Sequence, residues 1–356
     1  MKNINIEFLY YKALMERGDV YRFIGNSVSA RNDYEMSLKI AEAMPDPLFT
    51  VNILEKLNLA LHQINDFKGC LNVLERALTI LQRMNNKKEL ASILGNIGNV
   101  LEDMGRYNEA RDKFKEAESL LEGIDAPELF CELFSHLGLL SEKEGKFEEA
   151  LKYHQDSLRI RVRIGNIVSI AHEFANIGNV YLNTGKYDEA LKQYKRALDI
   201  FIKTGMQYGQ GRVTNNIAGI YIMLKTYDEA AKCYKRASRI YLHMGDMLGY
   251  ATTLSGIGYA RLFKGKINEA LRYFKMQLKI AREAGHAPTL LIALLNAARA
   301  HCEALDRKNC EKNLQEVENN VEKLGSKAAM DNMRDKVTGM RKRLEEYEKK
   351  ANIKKN

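Results

Sequence analysis

The 356-residue chain has no tryptophan and only four prolines, Pro45, Pro47, Pro127 and Pro288. Scarce proline leaves long helices free to run unbroken. No stretch alternates apolar and polar residues far enough to predict strands. No apolar run reaches the roughly 20 residues of a membrane span. Residues 1–18 carry Glu7 and Glu16 among their apolar residues and do not read as a signal peptide. A soluble, cytoplasmic protein is the expectation. Catalytic signatures are missing as well. There is no GxxxxGK[ST] phosphate loop, no HExxH and no GxSxG, and the seven histidines are scattered, His172 and His301 falling at ordinary helix positions. Gly209-Gln210-Gly211 is too little for a dinucleotide fingerprint. No enzyme activity, cofactor or metal is expected. The five cysteines (Cys70, Cys131, Cys233, Cys302, Cys310) form no CxxC pair and are odd in number. They predict reduced, buried thiols in a reducing compartment.

Apolar residues make up 46% and charged residues 28%, enough for a large core and too ordered a composition for wholesale disorder. The net charge of +9 permits acidic partners, nucleic acid or anionic lipid without demanding any of them.

What the chain has is a repeat. Phe174, Ile177 and Tyr181 mark one helix face, and Leu191, Tyr194, Ala197, Leu198 and Phe201 mark a second. Gly185 stops the first helix, and Asp188 and Glu189 complement the dipole at the start of the second. Gly178 and Ala190 are small residues that let neighbouring backbones approach. Aligned on Ile177, the equivalents are Ile24, Leu57, Ile97, Leu137, Ile217, Ile257 and Ala297, spaced by 40 from Leu57 onward. The next position holds Gly25, Asn58, Gly98, Gly138, Gly178, Ala218, Gly258 and Ala298. Tyr34, Phe67, Tyr107, Phe147, Tyr187 and Tyr227 fill an aromatic slot after the turn, and Ser37, Cys70, Ala110, Ala150, Ala190, Ala230 and Ala270 a small slot in the second helix. Gly165, Gly205, Gly245, Gly285 and Gly325 close the units, and the prolines fall at junctions. Such a period signals stacked two-helix units, none able to bury its own apolar face alone.

The expected organisation is an N-terminal capping helix (1–18), eight repeats (19–324) and a C-terminal amphipathic helix with a basic tail (325–356). Met330, Met333, Val337, Met340, Leu344 and Tyr347 place an apolar row on that last helix. It either caps the eighth unit, giving a monomer, or forms a coiled-coil seam for a weak dimer. The tail from Lys349 to Asn356 reads as frayed.

Ile177-Gly178, Tyr181, Ala190, Tyr194 and Ala197, with Phe174 in place of the usual tryptophan, resemble the tetratricopeptide repeat (TPR) family. The 40-residue period is similar to Pins/LGN repeats and, in its asparagines, to kinesin light chain. The resemblance implies an all-α, right-handed α-solenoid of about eight helix-turn-helix repeats, acting as an interaction scaffold or adaptor. Its first helices would line a concave groove that holds a protein or peptide segment. Two columns there read Asn96, His136, Asn176, Asn216, Gly256, Asn296 and Asn26, Asn99, Leu139, Asn179, Gly219, Tyr259, Arg299. Asparagine is a mediocre helix former, and its amide both donates and accepts. The peptide-binding set is therefore Asn96, Asn99, Asn176, Asn179, Arg212, Asn215, Asn216, Asn296 and Arg299, the alternative being polar residues that merely face water or tie internal loops. Arg212, Asn215 and Arg299 favour a ligand with acidic groups. Arg22 and Asn26 imitate the start of a chaperone-tail clamp, but Glu55 and Leu59 break it. A peptide-responsive regulatory sensor of the same fold is the second reading. A third uses the second-helix cations Lys152, Lys192, Lys232, Arg272 and Gln155, Lys195, Lys235, Lys275, joined by Arg159, Arg196, Arg236, Arg239 and Lys279, against nucleic acid or an anionic surface. Nucleic acid is disfavoured, because no aromatics are interleaved at exposed positions.

Overall fold

The computed structural model describes residues 2–324 and 327–353. Gly325 and residues 354–356 lie outside them. The described residues form seventeen α-helices and one short 3-10 helix joined by short turns, with no strand among them. The chain divides into two compact units, Met1–Asn176 and Ile177–Asn356. The first contains α1 (Lys2–Phe23), α2 (Ser27–Ala41), α3 (Leu48–Gln63), α4 (Phe67–Met84), α5 (Lys87–Asp103), α6 (Tyr107–Leu120), α7 (Pro127–Lys143) and α8 (Phe147–Ile164). The boundary falls within α9 (Ile167–Asn183). The second continues with α10 (Tyr187–Lys203), α11 (Gln207–Met223), α12 (Tyr227–His243), α13 (Met247–Phe263), α14 (Ile267–Glu283), α15 (Ala287–Glu303), α16 (Arg307–Asn320) and α17 (Lys327–Ile353).

Consecutive odd and even helices pair as hairpins, and the turn between them is the same each time. The second of its three residues is left-handed in every hairpin: Gly25, Asn65, Gly105, Gly145, Gly185, Lys225, Gly265 and Leu305, with φ between 54° and 80° across the chain's positive-φ residues. The following N–H donates back to the first helix, as Lys186 N does to Tyr181 O at 2.8 Å. That is the helix-ending geometry that favours glycine. Prolines sit where no helical hydrogen bond is lost: Pro127 opens α7, Pro288 lies in the first turn of α15, and Pro47 caps α3.

This turn column corrects the first repeat. Gly25 belongs with Gly185, not with Gly178, so the 40-residue register runs unbroken to the start of the chain. Arg17 is the true equivalent of Leu57, Gly18 of Gly178 and Tyr34 of Tyr194. The alignment on Ile24 slid by seven residues because the position that is elsewhere Ile or Leu is here Arg17. Arg17 is held by Asp33 through bonds of 2.6 and 2.7 Å. It follows that no break separates a cap at Gly18. α1 is continuous and is itself the first helix of the first hairpin. Asn26 is not a groove residue but the N-cap of α2, accepting from Ser29 N.

The small slot has a sharper purpose than backbone approach. A Cβ on Gly178 would lie 2.7 Å from the Tyr194 ring, and on Gly258 2.3 Å from the Phe274 ring. Five hairpins drive one ring of the second helix against a glycine of the first: Gly18, Gly98, Gly138, Gly178 and Gly258. Tyr34, Phe114, Tyr194 and Phe274 are fully buried there. Burial of this kind is worth about 1.5–3 kcal/mol per large apolar side chain.

At the C-terminal end, Met333, Val337 and Leu344 of α17 are buried against α15 and α16, in a cluster with Leu294, Leu314 and Val317. Arg341 adds ion pairs to Glu311 and Glu318. Met330 and Met340 of the same row pack partly against this cluster. The helix continues to Ile353, past the predicted fraying point at Lys349.

The cysteines also depart from expectation. Cys302 and Cys310, eight residues apart, are disulfide-bonded across the last hairpin turn, with Cα atoms 5.5 Å apart. Pairing depends on the hairpin, not on a CxxC spacing. Cys70, Cys131 and Cys233 are free. Burial pushes the Cys70 and Cys131 thiols up to about 11, so they stay protonated and inert.

Candidate functional site

The two asparagine columns meet each other. In the second unit, Asn179 Oδ1 accepts from the Tyr194 hydroxyl at 2.6 Å and from Asn216 Nδ2 at 3.2 Å. Asn179 lies on one first helix and Asn216 37 residues on, upon the next. The spacing recurs where Tyr259 donates to Asn296 Oδ1 at 2.6 Å. Asn296 Nδ2 donates in turn to Ser255 Oγ at 2.8 Å and Gln277 Oε1 at 3.0 Å. With 3% exposure and its amide engaged on both sides, Asn296 is a strut inside the fold. Arg299 is engaged as well. Its guanidinium lies 5.4 Å from the Tyr259 ring centre and 5.3 Å from that of Phe263, and 3.4 Å from Glu303. The helical asparagines therefore serve, in part, to join successive first helices.

Asn99 and Asn215 differ, each keeping an unmade acceptor. Asn215 is half-buried, and its Oδ1 is enclosed with no protein donor. Half-buried Arg212, three residues before it, stands close enough to Tyr241 to oppose the rise in the tyrosine's pKa. Burial, the largest cause, with Tyr208 and Asp246 beside it, carries that pKa to about 12. In the first unit, Asn96 and Asn99 line a cleft between α5 and α7 with Ser92, Glu132 and His136. Asn99 Oδ1 is buried there and accepts from no protein group. Asn176 lies apart from this cleft, its Nδ2 3.5 Å from Glu173 Oε2.

Glu173 belongs to a cluster missed in the sequence. His154 is fully buried, with Nδ1 3.0 Å from Glu173 Oε2 and Nε2 3.2 Å from Glu142 Oε1. Ser157 donates to Glu173 Oε1 at 3.0 Å, Ser135 donates to the same oxygen, and Arg161 Nε lies 3.3 Å from it. Burial opposes charge on the imidazole and the carboxylate alike. Their mutual hydrogen bonds win, holding His154 above and Glu173 below its ordinary range. The signal was present: His154 stands in a column of Tyr, Leu and Phe, and Glu173 in one of Ile, Leu, Val, Ala and Thr with no other charged residue. Its chemistry is not that of a nucleophile. Ser135 and Ser157 donate to the carboxylate and not to the imidazole, whose Nε2 faces Glu142.

The second-helix cations Lys192, Lys195, Arg196, Lys232, Lys235, Arg236, Arg239, Arg272, Lys275 and Lys279 are all exposed in the second unit. Among the described residues no group of three or more His, Cys, Asp or Glu could hold a metal, and no helix is long and apolar enough to cross a membrane.

Tetratricopeptide repeat models match residues 129–203, 166–243 and 209–283, and a further one matches 90–117. The chain belongs to the tetratricopeptide repeat family. Among solved TPR structures, a STAND-class signal transduction ATPase with a tetratricopeptide repeat sensor from Pyrococcus horikoshii is 15% identical at a TM-score of 0.67, over 92% of this chain and 50% of that one. This chain thus spans half the length of that protein. A Rap protein complexed with competence and sporulation factor is 13% identical, with a TM-score of 0.60, over 97% of this chain and 99% of that one. The apo quorum sensor NprR from B. thuringiensis is 14% identical, with a TM-score of 0.59, over 92% and 98%. At these identities the likeness is one of TPR fold. No curated protein matches the chain.

Proposed function

We propose that this TPR protein is a non-enzymatic interaction module whose first-helix face holds a peptide segment of a partner. The observation that carries the reading is the contrast among its asparagines. Asn179, Asn216 and Asn296 are engaged within the fold, whereas Asn99 and Asn215 present enclosed carbonyl oxygens with no protein donor. A buried acceptor left unmade costs about 1–3 kcal/mol. Donors from an extended peptide backbone would satisfy it. Binding rather than catalysis fits the absence of any base aimed at a nucleophile in the His154 cluster.

The likeness to a Rap protein complexed with competence and sporulation factor, and to the quorum sensor NprR, supports peptide sensing as the form this binding takes. In that form, peptide would shift the angle between successive hairpins. The test is display selection of random peptides on the immobilised full chain, repeated with Asn99→Leu and Asn215→Ala combined. We expect selected peptides to lose most of their affinity. Equal binding by the doubly substituted, fully helical protein would sink the groove reading.

A further inference from the structure

We propose that the cleft between α5 and α7 is a subsite for an alkylammonium group, either a lysine side chain or the amino terminus of a peptide. The inference rests on the first-helix face being the peptide-binding one, and names what one part of it recognises.

The fold contains its own control. Asn99 and Asn179 occupy the same position in repeats 80 residues apart. At Asn179 the carbonyl oxygen takes two protein donors, the Tyr194 hydroxyl and the Asn216 amide. At Asn99 both have been replaced. Phe114 stands where Tyr194 stands and has no hydroxyl, and His136 stands where Asn216 stands. His136 stacks on Phe114 with ring centres 5.4 Å apart and directs Nδ1 toward Glu102 Oε2, 3.6 Å away. The outcome is a buried carbonyl oxygen with no donor from the protein.

What else lines the cleft that Asn99 borders determines the donor. Ser92, Asn96 and Glu132 line the cleft and supply further acceptors, and Glu132 supplies charge. None of the nine lining residues is a lysine or arginine. The cleft leaves about 30 Å³ open to water-sized groups, enough for one or two of them. An ammonium matches that size and carries three donors. A guanidinium is a flat fork several times wider. A cation in the cleft meets the Glu132 carboxylate and no lysine or arginine among the lining residues.

The test is side-chain amide NMR of the full chain labelled with ¹⁵N-asparagine. Three probes are titrated: Nα-acetyl-lysine N-methylamide, alanine N-methylamide and, as the uncharged control, Nα-acetyl-norleucine N-methylamide. We expect a saturable shift of the Asn99 and Asn96 amides with one of the two amines and none with the control. The amine that acts identifies the source, side chain or terminus. In Glu132→Gln the same shift should need about tenfold more probe, the loss of one charged hydrogen bond. Asn99→Leu assigns the resonance and should abolish the Asn96 shift. Leucine is tolerated at this position, since Leu59 and Leu139 occupy it in neighbouring repeats. No shift with either amine, an equal shift with the control, or an unchanged titration in Glu132→Gln overturns the proposal and leaves water as the donor to Asn99. Those outcomes leave peptide selection on the groove untouched. Conversely, an amine titration that succeeds while no peptide is selected would retain the subsite and remove the groove reading.

Discussion

Nδ1 of His154 stands 3.0 Å from Oε2 of Glu173, and both side chains are almost wholly buried. With Glu142 on the other ring nitrogen and Arg161 beside the carboxylate, the pair makes a charged core where sister repeats use uncharged side chains.

The pair links stability to pH. The folded pKa of His154 is raised, so its contribution is complete below the unfolded value near 6.5 and is lost as pH rises through the folded value. That of Glu173 is lowered, so its contribution is present above about 4.5 and is lost as pH falls through the folded value. Both are complete between those limits. Urea unfolding followed by circular dichroism should therefore show lower stability at pH 9 than at pH 6. His154→Phe alone should cost about 3 kcal/mol by stranding the carboxylate, and adding Glu173→Val should recover most of it. A double variant as weak as the single, with its alkaline loss unchanged, would refute the coupling.

Asn179 and Asn216 should be coupled as well. Asn216→Leu removes one donor to Asn179 Oδ1, and Asn179→Leu removes the acceptor of the Tyr194 hydroxyl. A double-mutant cycle in thermal or urea unfolding should give an interaction of about 1 kcal/mol. Additive effects would mean that the two amides face solvent independently.

Gly258→Ala and Gly219→Ala should have opposite effects. The first places Cβ 2.3 Å from the Phe274 ring, and the second meets nothing nearer than the Tyr234 hydroxyl at 3.8 Å. Overpacking should cost Gly258→Ala about 1–3 kcal/mol. Gly219→Ala, in the middle of α11, should gain about 0.5–1 kcal/mol from helix propensity. Unfolding midpoints in urea decide, and equal shifts in one direction would contradict the packing described.

Leu305 holds the left-handed turn position at φ 58°, where five sister turns use glycine, and it is 47% exposed. Left-handed geometry costs a side-chain-bearing residue about 1–2 kcal/mol. Leu305→Gly should therefore stabilise the second unit by about 1 kcal/mol, read as a higher urea midpoint. A lower midpoint would show that the exposed leucine contributes packing that outweighs the strain.

Residue pattern alone determined the helical hairpins and their period, because both depend on local periodicity. Where a column residue changed class, the pattern misled: Arg17 in an apolar slot shifted the first repeat by seven, and a charged His154–Glu173 core went unseen among apolar columns. The asparagines show the division most clearly. Sequence placed Asn99, Asn179 and Asn216 on first helices at repeating positions, which is a matter of spacing. Whether an amide is spent on a neighbouring repeat or left with an unanswered oxygen depends on residues 15 to 37 positions away, such as Tyr194 at one turn and Phe114 at another. Only packing brings those groups within hydrogen-bonding distance, so only the tertiary structure could separate the amides that join the repeats from the one that faces a cleft.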